Sequence, residues 1–185
     1  AILLGDAEMI IAGGQESMSN APYILPNARN GYRLGHGDIK DSIVLDGLWD
    51  VYNNIHMGSC AESCAINFSL TREELDSFAV ESYKRAIEAA NSGKFKDEIF
   101  PLKISSKTGE VVVDKDEEPP KVKFDKIPML KPVFDKNGVV TAANASSIND
   151  GAAALLIMSE ERAIALGLKP LVEIIAQSSA AKAPI

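Results

Sequence analysis

Short apolar runs near the two ends of the chain constrain its fold more than any other feature. Residues 7–12 (AEMIIA) and 152–158 (AAALLIM) each predict a short strand, the first buried on both faces, and residues 171–176 (LVEIIA) predict a third strand. Between the last two, residues 159–166 predict a helix capped by Ser159 and closed by Gly167. Three strands cannot enclose a core alone. We therefore expect an α/β protein of which this chain is an internal piece.

The centre of the chain, residues 21–140, is rich in loop-forming residues. Two sequences of the capping-box type, Ser59-x-x-Glu62 and Thr71-x-x-Glu74, each predict the start of a helix. The second helix spans about residues 72–92 and ends before Gly93. The positions expected to form its buried stripe are Leu75, Phe78, Ala79, Ala86, Ile87 and Ala90. Residues 98–104 and 110–113 predict a hairpin around Lys107-Thr108-Gly109.

Composition narrows the classes of function. The 185 residues are 46% hydrophobic and carry a formal net charge of −7, which argues against nucleic acids and anionic membranes as partners. The longest apolar run is too short to span a bilayer. The chain begins at Ala1 with no methionine or basic leader, so we interpret it as processed or cut from a longer protein.

The two cysteines, Cys60 and Cys64, lie four residues apart and share one face of a predicted helix. They are too few for a disulfide framework and indicate a reducing compartment. A metal site is disfavoured because only His36 and His56 could complete it. We therefore interpret both cysteines as small buried residues, and we find no catalytic constellation in the chain.

Three segments are candidates for ligand contact. Residues 144–151 (NASSINDG) place small polar side chains before a predicted strand, where they either contact a polar ligand or fix the loop to the core. Lysines at 121, 123, 126 and 131 lie close to Phe134, and they either bind phosphates or keep a strand edge soluble. Gly13-Gly14 is expected to end the first strand in a tight turn.

Four motifs in a fixed order carry a resemblance to a known family. They are residues 12–20 (AGGQESMSN), 46–50 (DGLWD), 56–62 (HMGSCAE) and 141–153 (TAANASSINDGAA). Together they resemble the thiolases, most closely the short-chain biosynthetic members. The resemblance implies a fold of two similar αβαβα halves, with an α+β loop domain inserted in the first half and only partly covered here. It divides the chain into the end of the first half (1–20), the coenzyme A-binding loop domain (21–148), the last strand and helix of the first half (149–169) and the start of the second half (170–185).

The resemblance also implies a reaction. Thiolases of this type convert two acetyl-CoA to acetoacetyl-CoA and free CoA by a reversible Claisen condensation through an acetyl-cysteine. The nucleophilic cysteine is expected before Ala1, and the catalytic asparagine, histidine and second cysteine after Ile185, so the chain alone is expected to be inactive. Alternatives are a degradative 3-ketoacyl-CoA thiolase for longer chains and a non-catalytic thiolase-like protein that binds CoA or lipid. We expect no required cofactor, a homodimer or homotetramer, and a cytoplasmic or mitochondrial location.

Residue by residue, the resemblance assigns two sets of contacts. The positions that match CoA and acyl-pocket residues are Leu48, His56, Met57, Lys121, Val122, Lys123, Lys126, Phe134 and Ser146. In a potassium-activated subset of thiolases, a tyrosine and backbone carbonyls hold K⁺ beside this loop. The matching positions are Tyr83, Ala142, Ala143 and Ala145.

Overall fold

The structure, a computed structural model, describes residues 1–107 and 109–185. These residues form two compact units. The first unit contains Ala1–Gly47 and Ile148–Pro184, and the second contains Leu48–Ser147 with the terminal Ile185. The domain division implied by the resemblance stays a prediction.

Strands and helices alternate irregularly along the chain. The strands are β1 (Met9–Ser17), β2 (Tyr23–Ile24), β3 (Lys40–Asp41), β4 (Trp49–Asp50), β5 (Ile55–His56), β6 (Leu102–Ser106), β7 (Gly109–Val113) and β8 (Asp150–Met158). The α-helices are α1 (Met57–Asn67), α2 (Arg72–Asn91) and α3 (Glu160–Ala165). Two 3₁₀ segments, Pro119–Lys121 and Phe124–Met129, precede the last part of the second unit. Within the part of the chain that the structure describes, no helix is both long and apolar enough to cross a membrane.

In the first unit, β1 and β8 form an antiparallel ladder that runs from the pair Met9 and Met158 to the pair Ser17 and Asp150. The ladder passes through Gly13-Gly14, so the prediction that these glycines end the strand is wrong. A Cβ added at Gly13 would collide with the carbonyl oxygen of Ala153. The glycine therefore serves close approach of two backbones within a sheet.

Burial in the first unit differs from expectation. The prediction that residues 7–12 are buried on both faces is wrong, because Met9 and Ile11 are 45% and 77% exposed. A strand is buried on both faces only when other layers of structure pack on both faces of its sheet. The pairing with β8 gives β1 a neighbour within the sheet, but it does not cover either face. The predicted strand at residues 171–176 is absent, because a strand is defined by backbone hydrogen bonds to a paired neighbour and this segment pairs with none of the described strands.

The helix α3 confirms the prediction made from its capping residues. The Ser159 hydroxyl oxygen accepts a hydrogen bond from the backbone N–H of Arg162, at an N–O distance of 3.2 Å. Gly167 follows the helix with a φ of 67°, a left-handed conformation that favours glycine. Local capping chemistry therefore fixes both ends of α3.

In the second unit, α1 exists as predicted, but its cap does not. The helix begins at Met57, and the N-cap is His56, whose Nδ1 accepts a hydrogen bond from the backbone N–H of Gly58 at 2.9 Å. The proposed box between Ser59 and Glu62 is wrong, because the Glu62 carboxylate binds other backbone amides. Helix α1 is thus capped by an imidazole ring rather than by a hydroxyl.

The capping box of α2 is confirmed. The backbone N–H of Glu74 donates to the Thr71 hydroxyl at 3.2 Å, and the backbone N–H of Thr71 donates to the Glu74 carboxylate at 2.8 Å. The backbone hydrogen bond from Thr71, followed by the one from its hydroxyl, lowers the pKa of Glu74. The predicted buried stripe is only partly right: Ala79 is buried, but Phe78 is 79% exposed and Ala90 is exposed too.

The predicted hairpin is confirmed by β6 and β7, which pair from Leu102 with Val113 to Ser106 with Gly109. Gly109 has a φ of 127°, which suits a glycine at the turn. Of the expected turn, Thr108 lies outside the described residues.

A buried carboxylate attaches α1 to a distant segment of the second unit. Glu62 is buried, and its oxygens accept hydrogen bonds from the backbone N–H groups of Val139 and Val140, each at 2.9 Å. A Cβ added at Gly138 would collide with this carboxylate. Glycine at 138 therefore makes room for the charged group that holds residues 139 and 140.

Replacing Gly138 with alanine should destabilise the intact protein, because the added methyl displaces a buried carboxylate from its backbone donors. The expected loss is about 1–3 kcal/mol in the free energy of unfolding, the range for a buried hydrogen-bonded group left without its partner. Denaturant unfolding followed by circular dichroism measures it. The matched control is Gly47→Ala, where a Cβ meets no atom within 4 Å, and equal losses in the two variants would contradict the account.

Candidate functional site

An aromatic pair forms the first part of the site. The rings of His56 and Phe134 stack with their centroids 4.8 Å apart and their planes at 26°. A Cβ at Gly58 would fall within the ring of Phe134, so the glycine is what allows Phe134 to lie against the first turn of α1. The stacked pair thus lies at the N-terminus of α1.

The hairpin of β4 and β5 positions His56. Trp49 pairs with His56 in the ladder, and the buried carboxylate of Asp50 accepts hydrogen bonds from the backbone N–H groups of Tyr52, at 3.0 Å, and Asn53, at 3.3 Å. At the open end of the hairpin, the N–H of Met57 donates to the carbonyl oxygen of Leu48 at 2.8 Å. The structure thus brings together three residues predicted for the acyl pocket: Leu48, His56 and Met57.

A second part of the site is an open cavity of about 250 Å³. It unites the predicted phosphate contacts with most of the predicted cation contacts, although these are spread over about sixty residues of sequence. Its lining includes Tyr83, Glu118, Lys121, Val122, Lys123, Lys126, Ile127, Leu130, Ala142 and Ala143. Three lysines in a protein of net charge −7 make this a local cationic surface.

Carboxylates modulate the charge of the cavity. The Lys121 ammonium lies 2.7 Å from the Glu117 carboxylate, and this hydrogen bond and ion pair lower the pKa of Glu117. Both side chains are largely exposed, so the pair contributes little to stability. An anion that binds Lys121 has to compete with Glu117.

Tyr83 reaches the cavity from α2. Its hydroxyl donates a hydrogen bond to the Glu118 carboxylate at 2.9 Å. Burial, and then this hydrogen bond, raise the pKa of Tyr83, so the phenol is neutral at physiological pH. Its oxygen retains lone pairs with which it can coordinate a cation. Ala142 and Ala143 line the same cavity, while the N–H of Ala145 closes a turn onto the carbonyl oxygen of Thr141 at 3.0 Å.

The motif at residues 144–151 divides between the two units. Asn144 fixes the loop: its Oδ1 accepts from the N–H of Thr141 at 2.7 Å, and its Nδ2 donates to Asp76 at 3.0 Å. Ser146 is exposed. In the first unit, Asp150 accepts hydrogen bonds from the hydroxyl and N–H of Ser19, and these bonds, that of the hydroxyl first, lower the pKa of Asp150. Asn144 and Asp150 therefore fix the loop through hydrogen bonds, and ligand contact by this segment stays a prediction.

The two cysteines of α1 lie in different environments, so the prediction that both are buried is wrong for one of them. Both thiols are free, and Cys60 is buried, as predicted, but Cys64 is exposed. The packed positions of α1 are Cys60, Glu62 and Ala65, and Cys64 falls outside that set. Across residues 1–107 and 109–185, no group of three or more His, Cys, Asp or Glu side chains could hold a metal ion.

Sequence reasoning missed the residues that support the site. Glu62, Arg72 and Asp76 are polar residues of α1 and α2 that form hydrogen bonds to the segments around Ile127 and residues 139–144. The available signal was a charged residue within an otherwise apolar helical stripe, since Asp76 stands between Leu75 and Ala79. Buried charges of this kind require partners, and besides the pairing of Arg72 with Asp76 these partners lie more than fifty residues away.

Comparison with known proteins identifies the family. Residues 1–161 match the family model described as thiolase, N-terminal domain. The chain is 50% identical over its full length to an acetyl-CoA acetyltransferase of Pseudomonas aeruginosa and to one of Yarrowia lipolytica. It spans 47% and 46% of the length of these two relatives.

Solved structures agree with this assignment. An acetyl-CoA acetyltransferase of Syntrophomonas wolfei superposes with a TM-score of 0.85 at 46% identity, over 92% of this chain and 43% of the other. The corresponding enzyme of Bacillus anthracis gives a TM-score of 0.86 at 45% identity, with the same coverage. The predicted α/β thiolase fold, partly covered by this chain, is confirmed. The chain belongs to the thiolase family.

Proposed function

We propose that the intact protein is an acetyl-CoA C-acetyltransferase that makes acetoacetyl-CoA and free CoA from two acetyl-CoA. The observation that carries this proposal is the cavity in which Lys121, Lys123 and Lys126 meet Tyr83 and Ala142, in the unit that also holds the stacked His56 and Phe134. The names of the relatives at 50% identity support it.

The reaction divides into two transfers. A cysteine thiolate attacks the first acetyl-CoA, the thioester bond breaks, and the leaving CoA thiolate takes a proton from a general acid, which thereby becomes a base. A base then removes a proton from the α-carbon of the second acetyl-CoA, and the carbanion attacks the acetyl-cysteine, which releases the thiolate and acetoacetyl-CoA. We assign the catalytic groups to parts of the protein outside residues 1–185. We further propose a homodimer or homotetramer in the cytoplasm or in mitochondria.

This chain supplies the binding surfaces for the carrier. Lys121, Lys123 and Lys126, with the backbone around Val122, face the phosphates, which are attracted by clustered ammonium groups. The stacked rings of Phe134 and His56 pack against the pantetheine arm, and Ser146 donates a hydrogen bond to it. Leu48, His56 and Met57 border the short acyl group, because they meet at one end of the β4–β5 hairpin.

The reaction itself can be measured directly. The intact protein should form acetoacetyl-CoA from acetyl-CoA, and it should cleave acetoacetyl-CoA faster than ketoacyl-CoA substrates with longer chains. Mass spectrometry of products identifies them, and a chain-length profile ranks the substrates. Absence of acetoacetyl-CoA, or a clear preference for long chains, would overturn the proposal.

The lysine cluster should respond to charge removal and to salt. Lys126→Gln should raise the KM for acetyl-CoA by about 3- to 10-fold, because a phosphate loses one cationic contact. The change should shrink as the ionic strength rises from about 0.05 to 0.5 M, since screening already weakens the contact in the parent protein. Steady-state kinetics across this range measure both effects.

Lys103→Gln is the matched control, because Lys103 is an exposed lysine on β6 that is paired with Glu110. It should leave the KM and its salt dependence unchanged. An equal effect of the two substitutions would show that net charge, and not the cavity, attracts the substrate.

We also propose that K⁺ binds where Tyr83 meets the loop of Ala142, Ala143 and Ala145. A neutral phenol oxygen and backbone carbonyls suit a hard monovalent cation, and Tyr83, Ala142 and Ala143 share one cavity. The neighbouring carboxylate of Glu118 adds negative charge at the same place.

Activity of the intact protein should therefore rise with KCl and not with NaCl at equal ionic strength, and Tyr83→Phe should abolish the difference. Because the pKa of Tyr83 is raised above its ordinary value of about 10, the phenol stays neutral, and the activation should be the same at about pH 7 and pH 9. Equal rates in the two salts for the parent protein would contradict the cation site.

A further inference from the structure

An ion pair on the first turns of α2 is more buried than an ordinary helix-surface pair. Arg72 Nε donates to Asp76 Oδ2 at 2.7 Å, and the two side chains are 20% and 11% exposed. The pair of Glu81 and Arg85 has the same spacing on the same helix, but its side chains are 54% and 77% exposed. Shielding of charges from water is costly unless their remaining polar atoms find partners. The hydrogen-bond partners of the remaining polar atoms of Arg72 and Asp76 therefore show which segments the buried pair supports.

Arg72 uses its second donor on the lysine side of the cavity. Its Nη2 donates to the backbone carbonyl oxygen of Ile127 at 2.9 Å. Ile127 is only 2% exposed and lies in the 3₁₀ segment Phe124–Met129, next to Lys126, and both residues line the cavity. The guanidinium thus holds the backbone on which Lys126 is mounted.

Asp76 uses its second oxygen on the opposite side. Its Oδ1 accepts a hydrogen bond from Asn144 Nδ2 at 3.0 Å, while Asn144 Oδ1 accepts from the N–H of Thr141 at 2.7 Å. These bonds close the turn that places Ala142 and Ala143 at the cavity. The carboxylate therefore holds the second wall, and the ion pair joins it to the first.

We propose that Arg72 and Asp76 are positioning residues that set the spacing between the lysine wall and the Ala142–Ala143 wall for the phosphate-bearing end of a CoA thioester. The inference rests on the proposed function, and it adds that one charge pair, itself outside the lining of the cavity, controls carrier binding. An arginine suits this role, because its fixed fork donates to a carboxylate and to a carbonyl at once.

Two conservative variants of the intact protein test the inference. Arg72→Lys keeps the charge pair with Asp76 but removes the second donor to Ile127, and Asp76→Asn keeps an acceptor for Asn144 but removes the charge. Each should raise the Kd for CoA, measured by calorimetry, and the KM for acetyl-CoA by about 10-fold. Because the substitutions weaken binding of the phosphate-bearing end and not of the reacting group, kcat should change by less than about 3-fold. The KM for S-acetylpantetheine, which lacks the phosphates, should change by less than about 2-fold.

The matched control is Glu81→Gln, which breaks the exposed pair on the same helix and should alter none of these values. A fall in thermal stability with an unchanged Kd for CoA would overturn the inference, since the pair would then act only on folding. An equal increase in the KM for acetyl-CoA and in the KM for S-acetylpantetheine would overturn the inference as well. If Asp76→Asn does not fold, Arg72→Lys decides alone. If the parent protein binds CoA but forms no acetoacetyl-CoA, the proposed function is rejected. The Kd values from calorimetry still test the role of Arg72 and Asp76 in that case.

Discussion

The conformation of the loop at residues 139–144 in the second unit depends on hydrogen bonds to two buried carboxylates. Among the described residues of this unit, the buried apolar ones are few and mostly small: Cys60, Ala65, Ala79, Ile127 and Val140. Glu62 of α1 and Asp76 of α2 reach the segment from Val139 to Asn144 from two helices, and Thr141 within it is fully buried. A charged acceptor buried without its donors costs more than a neutral one, so this geometry is retained or lost as a whole. The loop that lines the cavity is therefore shaped by polar bonds more than by apolar packing.

Local chemistry could be predicted from the sequence, and long-range partners could not. The caps at Thr71 and Ser159 were predicted correctly, because the partners in each cap lie three residues apart. Ser59-x-x-Glu62 has the same pattern and failed, because the backbone amides of Val139 and Val140 claim the carboxylate from 77 and 78 residues away. In this chain the capping box forms where its acidic residue is exposed, as Glu74 is, and not where that residue is buried, as Glu62 is.

Burial also depends on long-range contacts that the sequence does not reveal. Phe78 and Ile11 lie in apolar patterns and are nevertheless exposed, since a pattern specifies a face and not what covers it. Within the candidate site, the resemblance gave the lining residues Lys126, Tyr83 and Ala142, which the structure brings to one cavity. Two of the residues behind them, Glu62 and Asn144, lie in the motifs, but Arg72 and Asp76 do not, and no motif indicates which distant groups these residues bind.

His56 has a structural role and a role in the candidate site at the same time, whereas some other residues have only one of the two. The imidazole caps α1 through Nδ1 and stacks on Phe134, so one ring both starts a helix and forms a wall of the site. Any substitution there changes the helix start as well as the surface, and a loss of activity cannot be assigned to either. Lys126 and Tyr83 reach the cavity from backbone that other residues fix, Lys126 next to the Ile127 carbonyl held by Arg72. A change at Lys126 leaves that backbone support in place, a change at Tyr83 also removes its hydrogen bond to Glu118, and a change at Arg72 removes support from the Ile127 carbonyl.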